Sequence, residues 1–176
     1  MNPTINKARL EWTLFALSAC ALFCRINGQT PPACQTRDLT IDLESTGTGS
    51  GHDVYGFELS NQSNRICTLS GYPTAMALDK KSKVVGEIVF QHTTPRGDSR
   101  SGMETPTIRL EPGGHAYFEI DSTNPTGLED TTFCKKATEV RITPPQNRRP
   151  FQRLFKFMSC RPESTAISFL YSRQTE

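Results

Sequence analysis

From Cys34 onward apolar and polar residues alternate, and no stretch sustains helical spacing for three turns. Val54–Leu59 puts Tyr55, Phe57 and Leu59 on one face, and His115–Ile120 puts Ala116, Phe118 and Ile120 on one face with His115, Tyr117 and Glu119 opposite. Arg153–Met158 sets Phe155 and Phe157 against Leu154 and Met158, and Thr165–Tyr171 offers Ile167, Phe169 and Tyr171. A period of two over short runs marks half-buried strands.

The separators agree. Glu111-Pro112-Gly113-Gly114 lies between Thr107–Leu110 and His115–Ile120 and reads as a hairpin turn, because Pro presets φ and Gly accepts the positive φ that follows. Asn61-Gln62-Ser63-Asn64 and Asp79-Lys80-Lys81 end two further strands, and Thr143-Pro144-Pro145 stops Glu139–Ile142. The count comes to about eight or nine strands, which predicts an all-β, immunoglobulin-like β-sandwich. Ser45–Gly51 is small and flexible and reads as a loop between the first two strands. Gln91–Thr105 is long and polar for a hairpin, a length that marks either a functional loop or disorder.

The first 28 residues follow a different pattern. Lys7 and Arg9 precede Trp12–Cys24, an uncharged run too short to span a bilayer, and a small-residue exit follows at Gly28. Residues 1–28 therefore read as a secretory signal peptide, 29–33 as a linker, 34–172 as the β-sandwich domain and 173–176 as a tail. Leu17-Ser18-Ala19-Cys20 offers a second exit, a bacterial lipobox that would make Cys20 the lipidated first residue. Cleavage near Gly28 leaves four cysteines, whereas the lipobox leaves an odd Cys24 beside them. The expected location is secreted or periplasmic, with a lipid-anchored envelope protein as the alternative.

The chain has 176 residues, 35% of them hydrophobic, a size and composition that fit one globular domain. Its 20 basic and 18 acidic residues become equal in number once residues 1–28 are removed. No long-range steering toward nucleic acid or anionic lipid follows, so a nucleic-acid partner is not expected and membrane contact is expected only through a lipid anchor. In an oxidising compartment Cys34, Cys67, Cys134 and Cys160 read as two disulfides, for which three pairings exist. Cys34 precedes the first strand and Cys160 the last. If those strands lie side by side and parallel at an edge, the pairs are Cys34–Cys160 and Cys67–Cys134.

Specific chemistry is sparse. No nucleophile elbow, phosphate-binding lysine loop, zinc-protease helix or dinucleotide fingerprint is present, and Gly47-Thr48-Gly49-Ser50-Gly51 lacks the lysine and helix of a phosphate cradle. His52, His92 and His115 are the three histidines. His52 and His115, with Asp53 or Glu119, would make a copper or zinc site if two strand starts coincide. Arg148, Arg149, Arg153 and Lys156 form a basic cluster, suited to an acidic glycan or lipid headgroup, or simply to an edge strand kept from aggregating. Asn61-Gln62-Ser63 is a glycosylation sequon by letter.

Several blocks in combination resemble a bacterial exported family known as domain of unknown function forty-two thirty-two. They are Cys34 with Leu39, Gly51-His52, Leu59-Ser60-Asn61, Cys67-Thr68-Leu69-Ser70-Gly71-Tyr72-Pro73, Leu110-Glu111-Pro112-Gly113-Gly114-His115-Ala116, Cys134, Pro144-Pro145 and Cys160. The resemblance spans Cys34 to Tyr171 and implies an exported or lipid-anchored β-sandwich. It carries no activity, and the Gln91–Thr105 insert departs from it.

The functional expectation is a non-catalytic domain, without a cofactor, that binds a protein partner, a glycan or a wall polymer at the cell envelope. Its candidate surfaces are Ser45–Gly51, Gln91–Thr105 and Ser122–Phe133, since loops at sandwich ends commonly bind. The alternative is a metal-handling protein using His52 and His115. A hydrolase stands third, supported only by isolated Ser, His and Asp residues.

Overall fold

A computed structural model describes residues 30–86, 88–94, 104–126, 131–162 and 165–173. The chain divides at Thr30/Pro31, and the description below concerns the unit that begins at Pro31. The predicted signal peptide and the lipobox cysteine Cys20 lie outside the described residues.

Alternation becomes strands, ten of them among the described residues: β1 Leu39–Gly49, β2 His52–Asn61, β3 Cys67–Ser70, β4 Thr74–Leu78, β5 Phe90–Thr93, β6 Thr107–Leu110, β7 His115–Thr123, β8 Lys135–Thr143, β9 Phe151–Ser159 and β10 Thr165–Ser168. They form a five-stranded sheet β1-β2-β7-β10-β5, a pair β3-β6 and a three-stranded sheet β4-β8-β9. The named pairs are antiparallel except β10 with β5. The fold is all-β.

The predicted faces are buried. Phe57, Leu59, Ala116, Phe118 and Ile120 have no measurable exposure, and Phe57 stacks on its cross-strand neighbour Phe118 with ring centroids 5.0 Å apart. The five-stranded sheet meets the three-stranded one through aromatic rings. Tyr55 lies 5.1 Å from Phe155, and Phe57 lies 5.8 Å from Phe155. Each fully buried aromatic side chain contributes about 1.5–3 kcal/mol by leaving water. Tyr72 covers the flank of this core, its ring set edge-to-face with Phe169 at a centroid separation of 5.9 Å and its face stacked on His92.

The structure corrects four expectations. Glu111–Gly114 is a turn, with Gly113 at φ +76°, but not a hairpin, because β6 pairs with β3 while β7 pairs with β2 and β10. The turn bonds to the end of β2 instead, Gly113 N–H donating to Asn61 O at 2.8 Å and Asn61 N–H to Gly114 O at 3.0 Å. The chain thereby crosses between sheets. The Asn61 side chain is fully buried at this crossing, and its Nδ2 donates to the carbonyls of Arg65, Leu110 and Glu111. The sequon nitrogen is committed to the interior.

Ser45–Gly51 is not a loop. β1 continues through it past a bulge at Leu43/Ser45, and Ser50 and Gly51, both at positive φ, make a two-residue hairpin turn into β2. Beyond Ile41 the strand is exposed on both faces, so no alternation advertises it. The other two candidate loops are also shorter than read. Gln91–Thr93 belongs to β5, and Ser122 and Thr123 complete β7. Residues 95–103 and 127–130 lie outside the described residues.

The fourth correction is the disulfide pairing, which is Cys34–Cys67 and Cys134–Cys160. The premise of parallel neighbouring edge strands fails, since β2 and β7 separate β1 from β10. Two local pairings decide instead. The segment before β1 bridges β3 in parallel at Ala33↔Thr68, with Cys34 N–H donating to Thr68 O at 2.9 Å, which brings Cys34 beside Cys67. Cys134 and Cys160 flank the β8–β9 hairpin one step beyond the Lys135↔Ser159 pair, so they face each other.

Candidate functional site

Pro144-Pro145 ends β8, and the chain turns at once, Asn147 N–H donating to Pro144 O at 3.2 Å. Gln146 sits at φ +60° in this turn. The Asn147 side chain then reaches the short 3-10 turn Thr36–Asp38 ahead of β1. Its Oδ1 accepts from Thr36 N–H at 2.8 Å and from Thr36 Oγ at 3.1 Å, while its Nδ2 donates to Cys34 O and Pro145 O, both at 2.9 Å. Arg149 O lies 2.9 Å from Thr36 Oγ and shares that hydroxyl's single proton. One wall is fixed to β3 by Cys34–Cys67 and the other is fixed to the first by Asn147.

Between the walls lies an open groove of about 410 Å³, lined by Gln35, Thr36, Arg37, Gln146, Asn147, Arg148 and Arg149. Arg37, Arg148 and Arg149 are exposed. Among the described residues Asp38 is a carboxylate in contact with them, 3.8 Å from Arg37 Nε, but it also holds Arg65 Nη2 at 3.3 Å. The groove therefore keeps excess positive charge on a preformed, donor-rich surface.

The predicted basic cluster divides. Arg148 and Arg149 line the groove, whereas Arg153 on β9 reaches Asp42 on β1 at 3.2 Å and ties the edges of two sheets. Arg153 Nε is buried without a partner among the described residues. Lys156 is exposed on β9, an edge strand, and does not line the groove. Arg37 was not anticipated. It is brought in by contacts between residues 34–36 and 147–149, a separation that no local pattern records.

The histidines do not converge. In the β2–β7 ladder His52 pairs with Thr123 and His115 with Ser60, which puts the two imidazoles at opposite ends of the ladder, on the order of 27 Å apart at strand rise. The expected His52–His115 metal pair is therefore not formed. His52 Nδ1 contacts Asp121 at 2.7 Å, and His92 stacks on Tyr72 at 4.0 Å. No group of three potential metal ligands converges among the described residues.

Ser60, His115 and Glu58 come together, but not as a proton relay. Ser60 Oγ and Glu58 Oε1 both meet the same nitrogen, His115 Nδ1, at 3.0 and 2.8 Å. A nucleophile and its orienting carboxylate need opposite ring nitrogens. Burial works to raise the Glu58 carboxyl, but the Ser60 hydrogen bond, the His115 charge and hydrogen bonds from Tyr117 and His115 hold it below its ordinary value. On the same sheet Tyr171 is pushed up to about 12 by burial, by the Glu119 charge and by its 3.0 Å hydrogen bond to Glu119. Arg173 lies over the Tyr117 ring at 4.1 Å and pairs with Glu44.

The family model described as Domain of unknown function (DUF4232) matches residues 34–164, from the first disulfide cysteine to the segment before β10. The chain belongs to this DUF4232 family. Both disulfides, the β2–β7 ladder and the Asn147 clamp fall inside the DUF4232 match. No curated protein matches the chain. Two disulfides in a β domain of this size suit an oxidising, extracytoplasmic compartment.

Proposed function

We propose that this chain is an exported, non-catalytic binding domain of the bacterial envelope, and that the groove between Thr36 and Arg149 is where its ligand sits. The observation that carries this reading is the Asn147 clamp. A concave, polar surface already held in one arrangement loses little conformational freedom on binding. The Ser60–His115–Glu58 geometry, which offers no relay, supports a binding role over hydrolysis.

The finer architecture belongs to the same proposal. Two facing sheets with aromatic contact between β2 and β9, and largely antiparallel ladders, support an immunoglobulin-like sandwich. Export through cleavage near Gly28 is the route favoured by the even cysteine count, with lipidation at Cys20 as the alternative.

Two measurements test this. Intact mass of the protein purified from its host distinguishes residues 29–176 less four hydrogens from a chain beginning at lipidated Cys20. Co-sedimentation with purified envelope material of that host is the functional test. Retention by the oxidised protein and loss after reduction are expected. A protein that stays in the supernatant in its oxidised form overturns the binding role.

A further inference from the structure

Resting on the groove as the binding site, we infer that its ligand is an extended wall polymer that repeats an anionic group among hydroxyls. The donors decide this. Arg37, Arg148 and Arg149 offer planar guanidinium forks, the geometry that grips a carboxylate or phosphate through paired hydrogen bonds. Gln35 and Gln146 stand between them with side-chain amides, which suit sugar or polyol hydroxyls. A volume of about 410 Å³ holds one or two such units, and the groove is open, so a chain can enter and leave it.

The same lining argues against other anions. Among the described residues none of the seven that line it is aromatic, so they offer no stacking platform of the kind that single-stranded nucleic acid uses. None carries an apolar side chain of the kind that enters a bilayer, so a headgroup still anchored in a membrane would gain nothing beyond its charge. A polymer repeating its anion also fits the neighbourhood. Arg65, sharing Asp38 with Arg37, extends the basic surface beyond the groove and meets a second repeat.

Two sources supply this chemistry, a uronic-acid polysaccharide and a polyol-phosphate chain. The test is affinity electrophoresis and calorimetry of the oxidised full-length mature protein with polygalacturonate, poly(glycerol phosphate), dextran and single-stranded DNA. Retention by one or both of the first two is expected, with the stronger of them naming the source, and none by dextran. R148A/R149A should weaken that binding at least tenfold with an unchanged melting curve. R37A serves as the second variant, because that side chain is exposed and its loss leaves the Asn147 clamp intact. Raising salt from 50 to 500 mM should weaken wild-type binding severalfold, as exposed charges become screened.

Failure to bind either anionic polymer overturns the inference, as does unchanged binding by both variants or DNA binding of equal strength. Sedimentation with envelope material by R148A/R149A at the wild-type level would leave the binding domain standing and remove the groove. Absence of sedimentation by the wild type removes both.

Discussion

Asn147 Nδ2 donates to the carbonyl of Cys34 at 2.9 Å, joining residues 113 positions apart in sequence. With its bonds to Thr36 and Pro145, the amide holds the turn after β8 against the segment before β1. Asn147→Ala removes all of these and should cost about 1–3 kcal/mol, since carbonyls and an N–H lose partners. Asn147→Asp keeps the acceptor for Thr36 but sets a carboxylate oxygen against two carbonyl oxygens. It should be at least as destabilised. Urea unfolding of the two variants checks the order.

The disulfide connectivity is directly measurable. Non-reducing proteolysis and mass spectrometry should yield linked fragments containing Cys34 with Cys67 and Cys134 with Cys160. The loops span 33 and 26 residues, for which the chain-entropy account gives each bridge about 3–4 kcal/mol. C134S/C160S should accordingly lower the urea midpoint clearly. Fragments linking Cys34 to Cys160 would overturn the parallel bridge at Ala33↔Thr68.

Tyr171 makes the fold sensitive to alkali. Its phenol is pushed up to about 12 in the folded protein by burial and by Glu119, against about 10 in an unfolded chain. The neutral form is therefore the one the fold prefers. The resulting stability is complete below about pH 10 and is lost as pH rises through the folded value. Absorbance titration should show a phenol ionising near 12 that moves to near 10 in urea. In Tyr171→Phe that late step should vanish.

Phe57 packs on Phe118 within its own sheet and on Phe155 of the facing sheet. Phe57→Ala should cost about 3–5 kcal/mol, transfer and cavity together. Leu43, which is 40% exposed on β1, gives the contrast. Leu43→Ala should change stability by less than about 1 kcal/mol. Similar losses at both positions would contradict the burial pattern.

The half-buried strands were legible because one face of each meets the core. Ala116, Phe118 and Ile120 alternate with His115, Tyr117 and Glu119, and only the first set is sealed from water. Where both faces meet solvent the pattern vanishes, and the end of β1 passes for a loop. Partner choice is a different kind of fact. The Glu111–Gly114 turn has hairpin chemistry, yet its neighbour is Asn61, about 50 residues earlier, which no local pattern could supply. Arg37 was lost to view in the groove for the same reason. Cys134 and Cys160 did carry a usable clue, since each stands one residue outside two consecutive alternating segments.

In both bridges each cysteine joins the next one along the chain, the first with the second and the third with the fourth. A polypeptide delivered from its N-terminus into an oxidising space presents Cys67 to Cys34 before Cys134 has emerged. Among the described cysteines, then, the correct mate is always the first to arrive. Taken in that order, each bridge can close between neighbours without breaking one already formed.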